Sequence, residues 1–136
     1  MLYESFLEYK PLYTADGFAA TILDVAQVQV RIQEGPVWVA LRGEDVVGTV
    51  AAVTKSESLY IRGMAVLPSV RGLGIGTGLL QRAEEWARNE KFKRIFLSTT
   101  PFLASAIQLY QQFGFRFTAA PHDLFGTPLL TMEKSI

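Results

Sequence analysis

The sequence predicts a single α+β domain in which a mixed sheet is flanked by helices. Two observations support this fold class. The predicted elements follow the order strand, strand, strand, helix, strand, helix, strand, strand after an N-terminal helix, and no repeat or linker interrupts residues 1–136. The chain has 136 residues, of which 49% are hydrophobic and 19% are charged. That size and composition are enough for one hydrophobic core and exclude a disordered chain.

Helical spacing predicts the N-terminal element. Apolar residues recur at three- or four-residue steps between Thr14, a suitable N-cap, and Glu34, after which Gly35 and Pro36 would end the helix. Alternating β-branched residues near its centre resist helix formation, so a helix broken near its middle is an open alternative.

The remaining elements follow from alternation, helical spacing and turn residues. Gly63 lies inside the third strand and indicates a bulge there. The helix before Gly114 would be capped by Thr100, with Pro101 at its first position. The predicted ranges are strands at 37–41, 46–53 and 59–67, a helix at 74–89, a strand at 94–99, the capped helix, and strands at 115–119 and 129–133, with a loop at 120–126.

Composition excludes several classes of function. Thirteen basic and thirteen acidic residues give a net charge of zero, which is untypical of a general nucleic-acid binder. The chain has no cysteine and a single histidine, His122, so cysteine nucleophiles and clusters of thiolate or histidine metal ligands are excluded, and we expect no metal. Neither a secretory signal nor an apolar run of membrane length is found. We expect a cytoplasmic protein without nucleic-acid or membrane partners.

The charges are distributed unevenly. Residues 1–70 contain five basic and eight acidic side chains, whereas residues 71–136 contain eight basic and five acidic ones. Either this is chance, or the second half holds an anion and the first half faces a cation such as an amine.

The most informative segment is the glycine-rich turn at residues 68–78, which precedes the clearest helix. Glycine lowers the stability of a helix by about 1 kcal/mol relative to alanine, so Gly74, Gly76 and Gly78 together lower it by about 2–3 kcal/mol. Phosphate binding by bare N–H groups, with the charge of Arg71 alongside, would offset this cost. Alternatively, the glycines only let the helix pack closely on the sheet. The spacing fits neither a P-loop nor a dinucleotide-binding fingerprint.

Two blocks of the sequence resemble the GCN5-related N-acetyltransferase (GNAT) superfamily. In residues 64–80, Arg71, Gly74 and Gly76 match the Arg/Gln-x-x-Gly-x-Gly/Ala motif for acetyl-CoA, and residues 106–115 match a second family block, Ala-Ile-x-Leu-Tyr-x-x-Phe-Gly-Phe. The resemblance covers residues 37–132. It implies an α/β sandwich with a mixed, mostly antiparallel central sheet, in which the family's fourth and fifth strands (59–67 and 94–99) splay around the cofactor.

The resemblance also implies acetyl-CoA as co-substrate and the residues that contact it. The backbone of Met64, Ala65 and Val66 would pair with the pantetheine amides like an added strand. An apolar slot including Leu103 and Ala106 would hold the thioester, and Tyr110 would contact the sulfur and protonate the departing thiolate. The pyrophosphate would be held by the amides of Arg71, Gly72, Leu73, Gly74, Ile75, Gly76 and Thr77.

Three positions depart from the family pattern, and one of them is Leu73, where members often have a basic residue between the motif glycines. Leu103 stands where many members have an asparagine that bonds the pantetheine, and Tyr60 stands where many have a glutamate general base. Glu57 is the nearest carboxylate, either as the catalytic base or as a solvated charge. Only residues 2–9 are available for the family's first strand.

These features predict an N-acetyltransferase that transfers acetyl directly from the thioester to a primary amine of a small molecule or peptide. A backbone N–H near Val66 would stabilise the oxyanion. A non-catalytic CoA-binding regulatory domain is the alternative, favoured by the missing glutamate and asparagine. His122 and Asp123 would border the acceptor site, and a homodimer is compatible with the resemblance.

Overall fold

The order of elements in the computed structural model confirms the α+β prediction. The structure describes residues 1–118 and 122–136, with side chains for 1–118 and 125–136. In chain order it contains α1 (Leu2–Phe6), a 3₁₀ helix (Leu7–Leu12), α2 (Ala15–Thr21), α3 (Val25–Glu34), β1 (Val37–Arg42), β2 (Asp45–Lys55), β3 (Ser58–Val66), a 3₁₀ turn (Pro68–Val70), α4 (Ile75–Asn89), β4 (Arg94–Thr99), α5 (Ala104–Phe113), β5 (Arg116–Phe117), β6 (His122–Leu124) and β7 (Thr127–Ser135).

The sheet is mixed and mostly antiparallel. Its strand order is β1-β2-β3-β4-β7-β5, with β6 paired to β7, and β3–β4 is the parallel pair. Residues 58–61 of β3 pair with 94–97 of β4, but beyond this point β3 stays paired with β2 while β4 stays paired with β7. The two parallel strands therefore separate at their carboxyl ends, as the resemblance implied for the family's fourth and fifth strands.

A bulge in β3 lies at the point of separation. The register between β2 and β3 shifts between Thr49 and Ala51, and Gly63 has φ of +62°. Residues with a Cβ rarely adopt this left-handed conformation, which explains the glycine. The bulge predicted from Gly63 is confirmed.

The core lies between the sheet and helices α4 and α5. The predicted apolar stripe of α4 is buried through Leu79, Leu80, Ala83 and Ala87. Its neighbours on the strands are buried, each with at most 2% of its surface exposed, and include Leu59, Ile61, Ile95 and Met132. On β3, Tyr60 and Arg62 alternate with Leu59 and Ile61 and therefore lie on the opposite face, where α1 and α3 contact β3 and β2.

The single helix predicted from Thr14 to Glu34 is wrong, and the broken alternative is confirmed. Asp24 starts a new helix because its side chain accepts from the Gln27 N–H while the Gln27 side chain accepts from the Asp24 N–H. Helix α3 buries none of its residues, and Val25 and Ile32 of the predicted stripe are exposed.

Four other boundaries differ from the prediction. Residues 2–12 are helical, so no strand precedes β1 in the described chain and β1 is an edge strand.

The helix expected at Thr100 begins at Ala104, because residues 100–103 form a turn in which the Leu103 N–H donates to the Thr100 carbonyl. The predicted strand 115–119 is confined to β5, and its last residue lies outside the described residues. Residues 122–124, predicted as loop, pair with β7.

The side chains of His122 and Asp123 are outside the described residues, so their expected position beside the acceptor site stays a prediction. Among the helices of the described chain, none has the length and apolarity needed to cross a bilayer.

Candidate active site

A cavity of about 610 Å³ opens where β3 and β4 separate. It runs from the glycine-rich turn and the start of α4, past α5, to the N-terminal helices. Leu73 lies outside it on the surface, with 68% of its area exposed. The other expected cofactor residues all line the cavity, namely Met64, Ala65, Val66, Arg71, Gly72, Gly74, Ile75, Gly76, Thr77, Leu103, Ala106 and Tyr110.

The turn before α4 presents unpaired backbone donors to this cavity. Gly72 and Gly74 have φ of +82° and +81°, and a Cβ on either would meet nothing within 4 Å. Their conformation, and not a lack of space, therefore requires glycine. The Gly78 N–H bonds the Gly74 carbonyl at 3.0 Å, so the N–H groups of the preceding first turn have no intrahelical acceptor. Such a helix N-terminus binds phosphate groups.

Close packing explains a different glycine. A Cβ on Gly76 would lie 2.8 Å from Leu109 Cδ2 and 3.1 Å from Met64 Cε, so this position lets α4 approach β3 and α5. A Cβ on Gly78 would meet nothing within 4 Å. The two explanations offered by the sequence thus apply to different residues of the turn.

The Arg71 side chain takes a role that the sequence did not reveal. Its Nε donates to the Val66 carbonyl at 3.1 Å, its Nη2 donates to the Ser5 carbonyl at 2.6 Å, and its Nη1 forms an ion pair with Glu8. Arg71 therefore ties the N-terminal helical segment to the end of β3. The donors left for an anion at this turn are mainly backbone N–H groups.

The edge of β3 that faces the opening carries further backbone groups. The Leu67 N–H donates to Val47 on the β2 side at 2.9 Å, so its neighbour Val66 directs its own N–H and C=O toward the opening. The Val66 carbonyl is held by Arg71, while the side chains of Met64 and Val66 pack against the core. The opening thus has the edge that an added strand would use.

Two hydroxyl groups at the end of β4 also lack partners. Thr99 Oγ1 and Thr100 Oγ1 are buried and make no hydrogen bond within the described residues, and both threonines line the cavity. Buried polar groups are normally hydrogen-bonded, so these hydroxyls suit a bound polar ligand.

Tyr110 lies on α5 at the inner wall of the cavity. It is 8% exposed, and its ring meets Phe115 edge-on with 5.9 Å between ring centroids. Burial raises the pKa of the Tyr110 hydroxyl above its ordinary value near 10. The hydroxyl is therefore protonated at neutral pH, and the same burial makes it a weaker acid than an exposed tyrosine.

The structure does not bring Glu57 to this site. Glu57 lies in the turn before β3, is 73% exposed, and has its carboxylate 3.6 Å from Lys93 Nζ. It precedes Met64 by seven residues, about 23 Å along an extended strand. Among the described residues, no carboxylate lines the cavity.

The far wall of the cavity was missed by the sequence analysis. Tyr13 packs edge-on against Phe102 with 4.8 Å between ring centroids, and burial raises the pKa of its hydroxyl. No local motif marks these residues, because only the packing of the N-terminal helices places them here. The wall is formed by Ser5, Phe6, Tyr9, Tyr13, Ala20, Thr21 and Arg31.

Comparisons with known proteins agree with this geometry. The chain is 42% identical over 92 residues to the uncharacterized N-acetyltransferase YjgM of Escherichia coli, covering 64% of this chain and 55% of that protein. It superposes on a PaiA N-acetyltransferase from Thermoplasma acidophilum in complex with coenzyme A with a TM-score of 0.79, at 18% identity, over 99% of this chain and 88% of that one.

A second solved structure, a GNAT family acetyltransferase from Elizabethkingia anophelis with acetyl-CoA bound, gives a TM-score of 0.70 at 20% identity, over 83% of this chain and 84% of that one. The chain spans about half the length of the curated relatives it matches. The model for the acetyltransferase (GNAT) family matches residues 1–115. The chain therefore belongs to the GNAT acetyltransferase family.

Proposed function

We propose that this domain transfers an acetyl group from acetyl-CoA directly to a primary amine of a small molecule or peptide. One observation carries the proposal: a single cavity joins the bare N–H groups at the start of α4 to the buried hydroxyl of Tyr110. A site for an anionic, elongated ligand thus leads to a proton donor.

The residues around the cavity suit acetyl-CoA. Backbone donors from Gly72 to Thr77 would hold the pyrophosphate, and the open edge of β3 at Met64–Val66 would pair with the pantetheine amides. The orphaned hydroxyls of Thr99 and Thr100 offer additional partners for a polar ligand. The bound coenzyme A and acetyl-CoA in the Thermoplasma and Elizabethkingia proteins support this choice.

The chemistry needs one proton donor and a neutral amine. The amine nitrogen attacks the thioester carbonyl, the C–N bond forms, and the C–S bond breaks. The Tyr110 hydroxyl then gives its proton to the sulfur, and the proton lost by the amine passes to water and restores the tyrosine. Burial disfavours both tyrosinate and thiolate, so the slot that raises the pKa of Tyr110 also favours protonation of the sulfur.

Tyr110→Phe tests this mechanism. We expect turnover, measured as thiol release with each amine that the wild-type protein acetylates, to fall by about 100-fold or more, while the affinity for acetyl-CoA stays the same. Tyr3→Phe is the matched control, because Tyr3 is exposed and outside the cavity. Equal turnover in the two variants would remove Tyr110 from the mechanism.

A CoA-binding regulatory domain is the second candidate. Leu103 and Tyr60 replace polar residues of the family pattern, and no carboxylate among the described residues lines the cavity. A panel of amino acids, polyamines, aminoglycosides and peptides separates the two candidates. Acetyl-CoA binding without acetylation of any amine in the panel would favour the regulatory domain.

A further inference from the structure

The acceptor side of the cavity carries a positive charge. Arg31 on α3 lines the cavity and reaches the bulge of β3, where its Nη1 occupies the space that a Cβ on Gly63 would need. Gly63 immediately precedes Met64, the start of the edge proposed to pair with the pantetheine amides. The guanidinium of Arg31 therefore lies beside the proposed path of the pantetheine arm, on the side of the cavity left for the acceptor.

The carboxylate whose charge acts most on Arg31 is Glu34, and it is already ion-paired with Arg62. Glu34 bonds Arg62 Nη2 at 2.5 Å, and no carboxylate among the described side chains lies within ion-pair distance of Arg31. Two guanidinium groups thus share one carboxylate, leaving one positive charge in excess. Burial and the charge of Arg62 lower the pKa of Arg31, but an arginine keeps its charge at neutral pH.

A second polar group next to this arginine is also unsatisfied. Arg62 Nε is buried and has no hydrogen-bond partner within the described residues, and Arg62 lines the same cavity. Leaving a buried donor unpaired is unfavourable, and a half-buried charge without an ion-pair partner adds to that cost. An anionic ligand would satisfy both arginines at once.

We propose that Arg31, together with Arg62 Nε, binds a carboxylate of the acceptor, so that the acceptor is an amino acid or a similar amine that carries a carboxylate. This inference rests on the proposed acetyl transfer. Arginine suits the role because its planar group bonds a carboxylate through two parallel N–H donors. This positive charge is the reverse of the expectation that the acidic first half of the chain faces a cation.

The wall around Arg31 favours an apolar or aromatic remainder. Phe6, Tyr9, Tyr13 and Tyr60 line this end of the cavity. Phenylalanine and leucine are therefore suitable probes. Each can be compared with its carboxamide, which keeps the amine and the side chain but lacks the negative charge.

The first test is a binding measurement that does not depend on turnover. Isothermal titration in the presence of CoA compares N-acetylphenylalanine and N-acetylleucine with their amides. We expect the wild-type protein to bind the acids at least about 10-fold more tightly, as a charge-assisted pair allows. Arg31→Gln should abolish the difference, whereas Arg42→Gln, an exposed arginine outside the cavity, should retain it.

Arg31→Lys keeps the inference testable if Arg31→Gln does not fold. Lysine retains the charge but not the two-pronged geometry, so a reduced preference for the acids is expected. Equal binding of acids and amides by the wild-type protein, binding of neither, or an undiminished preference in a folded Arg31→Gln variant would overturn the inference.

Turnover separates this inference from the proposed function. If the protein binds the acids but acetylates no amine, the proposed transfer fails and the carboxylate site stands. If phenylalaninamide and leucinamide are acetylated with the same kcat/KM as phenylalanine and leucine, acetyl transfer stands and the carboxylate site fails.

Discussion

Two glycines of the glycine-rich turn at residues 68–78 should respond to alanine in opposite directions. Gly74 has φ of +81° at the N-cap of α4, and an alanine there would be forced into the left-handed region. This costs about 1–2 kcal/mol, partly offset by a smaller loss of chain entropy on folding. No collision adds to it, because a Cβ would meet nothing within 4 Å. Gly74→Ala should therefore lower the free energy of unfolding by about 1 kcal/mol.

Gly78 is inside the same helix and has ordinary helical geometry with open space around it. Gly78→Ala should raise the free energy of unfolding by about 0.8–1 kcal/mol, the difference in helix propensity. The two variants should thus differ by about 2 kcal/mol. For a domain of 136 residues, 1 kcal/mol corresponds to about 3–4 °C in the melting temperature.

Urea denaturation followed by circular dichroism, with thermal melts alongside, measures this difference. Since Gly78 does not line the cavity, Gly78→Ala should leave the dissociation constant of acetyl-CoA unchanged. A Gly78→Ala variant less stable than the wild type, or a Gly74→Ala variant as stable as it, would refute the conformational argument for this turn.

Three further measurements test other parts of the structure. Burial raises the pKa of Tyr110 in the folded state above the unfolded value near 10. The buried tyrosine should therefore contribute fully to the free energy of unfolding below about pH 10. Above that pH the unfolded chain loses the tyrosine proton first, so the free energy of unfolding should fall by about 1.4 kcal/mol per pH unit. Urea denaturation between about pH 9 and 11.5 should show a shallower decline for Tyr110→Phe; identical slopes would contradict the burial. Glu57→Gln should leave kcat and KM unchanged because Glu57 is far from the cavity, and a large loss of kcat would restore it as the base. Leu80→Ala should cost about 2–5 kcal/mol of unfolding free energy, since Leu80 is fully buried under the sheet, and a loss below about 1 kcal/mol would show that the core there repacks freely.

Local patterns in the sequence were sufficient for strands β1 to β4 and for the glycine-rich turn before α4. Helix α4 combines a strong apolar stripe with glycines at its start, and both follow from neighbouring residues alone. The bulge at Gly63 was anticipated from the glycine inside the strand, and the separation of β3 from β4 was anticipated from the family resemblance. Helix α3 was less predictable, because Val25 and Ile32 have the spacing of a buried helix face but are exposed.

The position of Glu57 shows the limit of counting along a strand. Glu57 is only three residues from Tyr60, which stands at the family's glutamate position, but each residue of a strand adds about 3.3 Å. In addition, the turn directs the Glu57 side chain toward Lys93 and solvent. The Arg71 contacts likewise escape sequence reasoning. Ser5 and Glu8 are more than sixty residues from Arg71 in the chain.

The amino-acid sequence by itself determined which residues could form a phosphate-binding helix start, because glycine conformation and helix polarity depend on a few adjacent positions. Only the tertiary structure decided what the acceptor would meet. The N-terminal helices fold across the opposite face of the sheet and place Arg31 over Gly63 beside Arg62, and that charged wall arises from packing between segments about thirty residues apart, which no local spacing encodes.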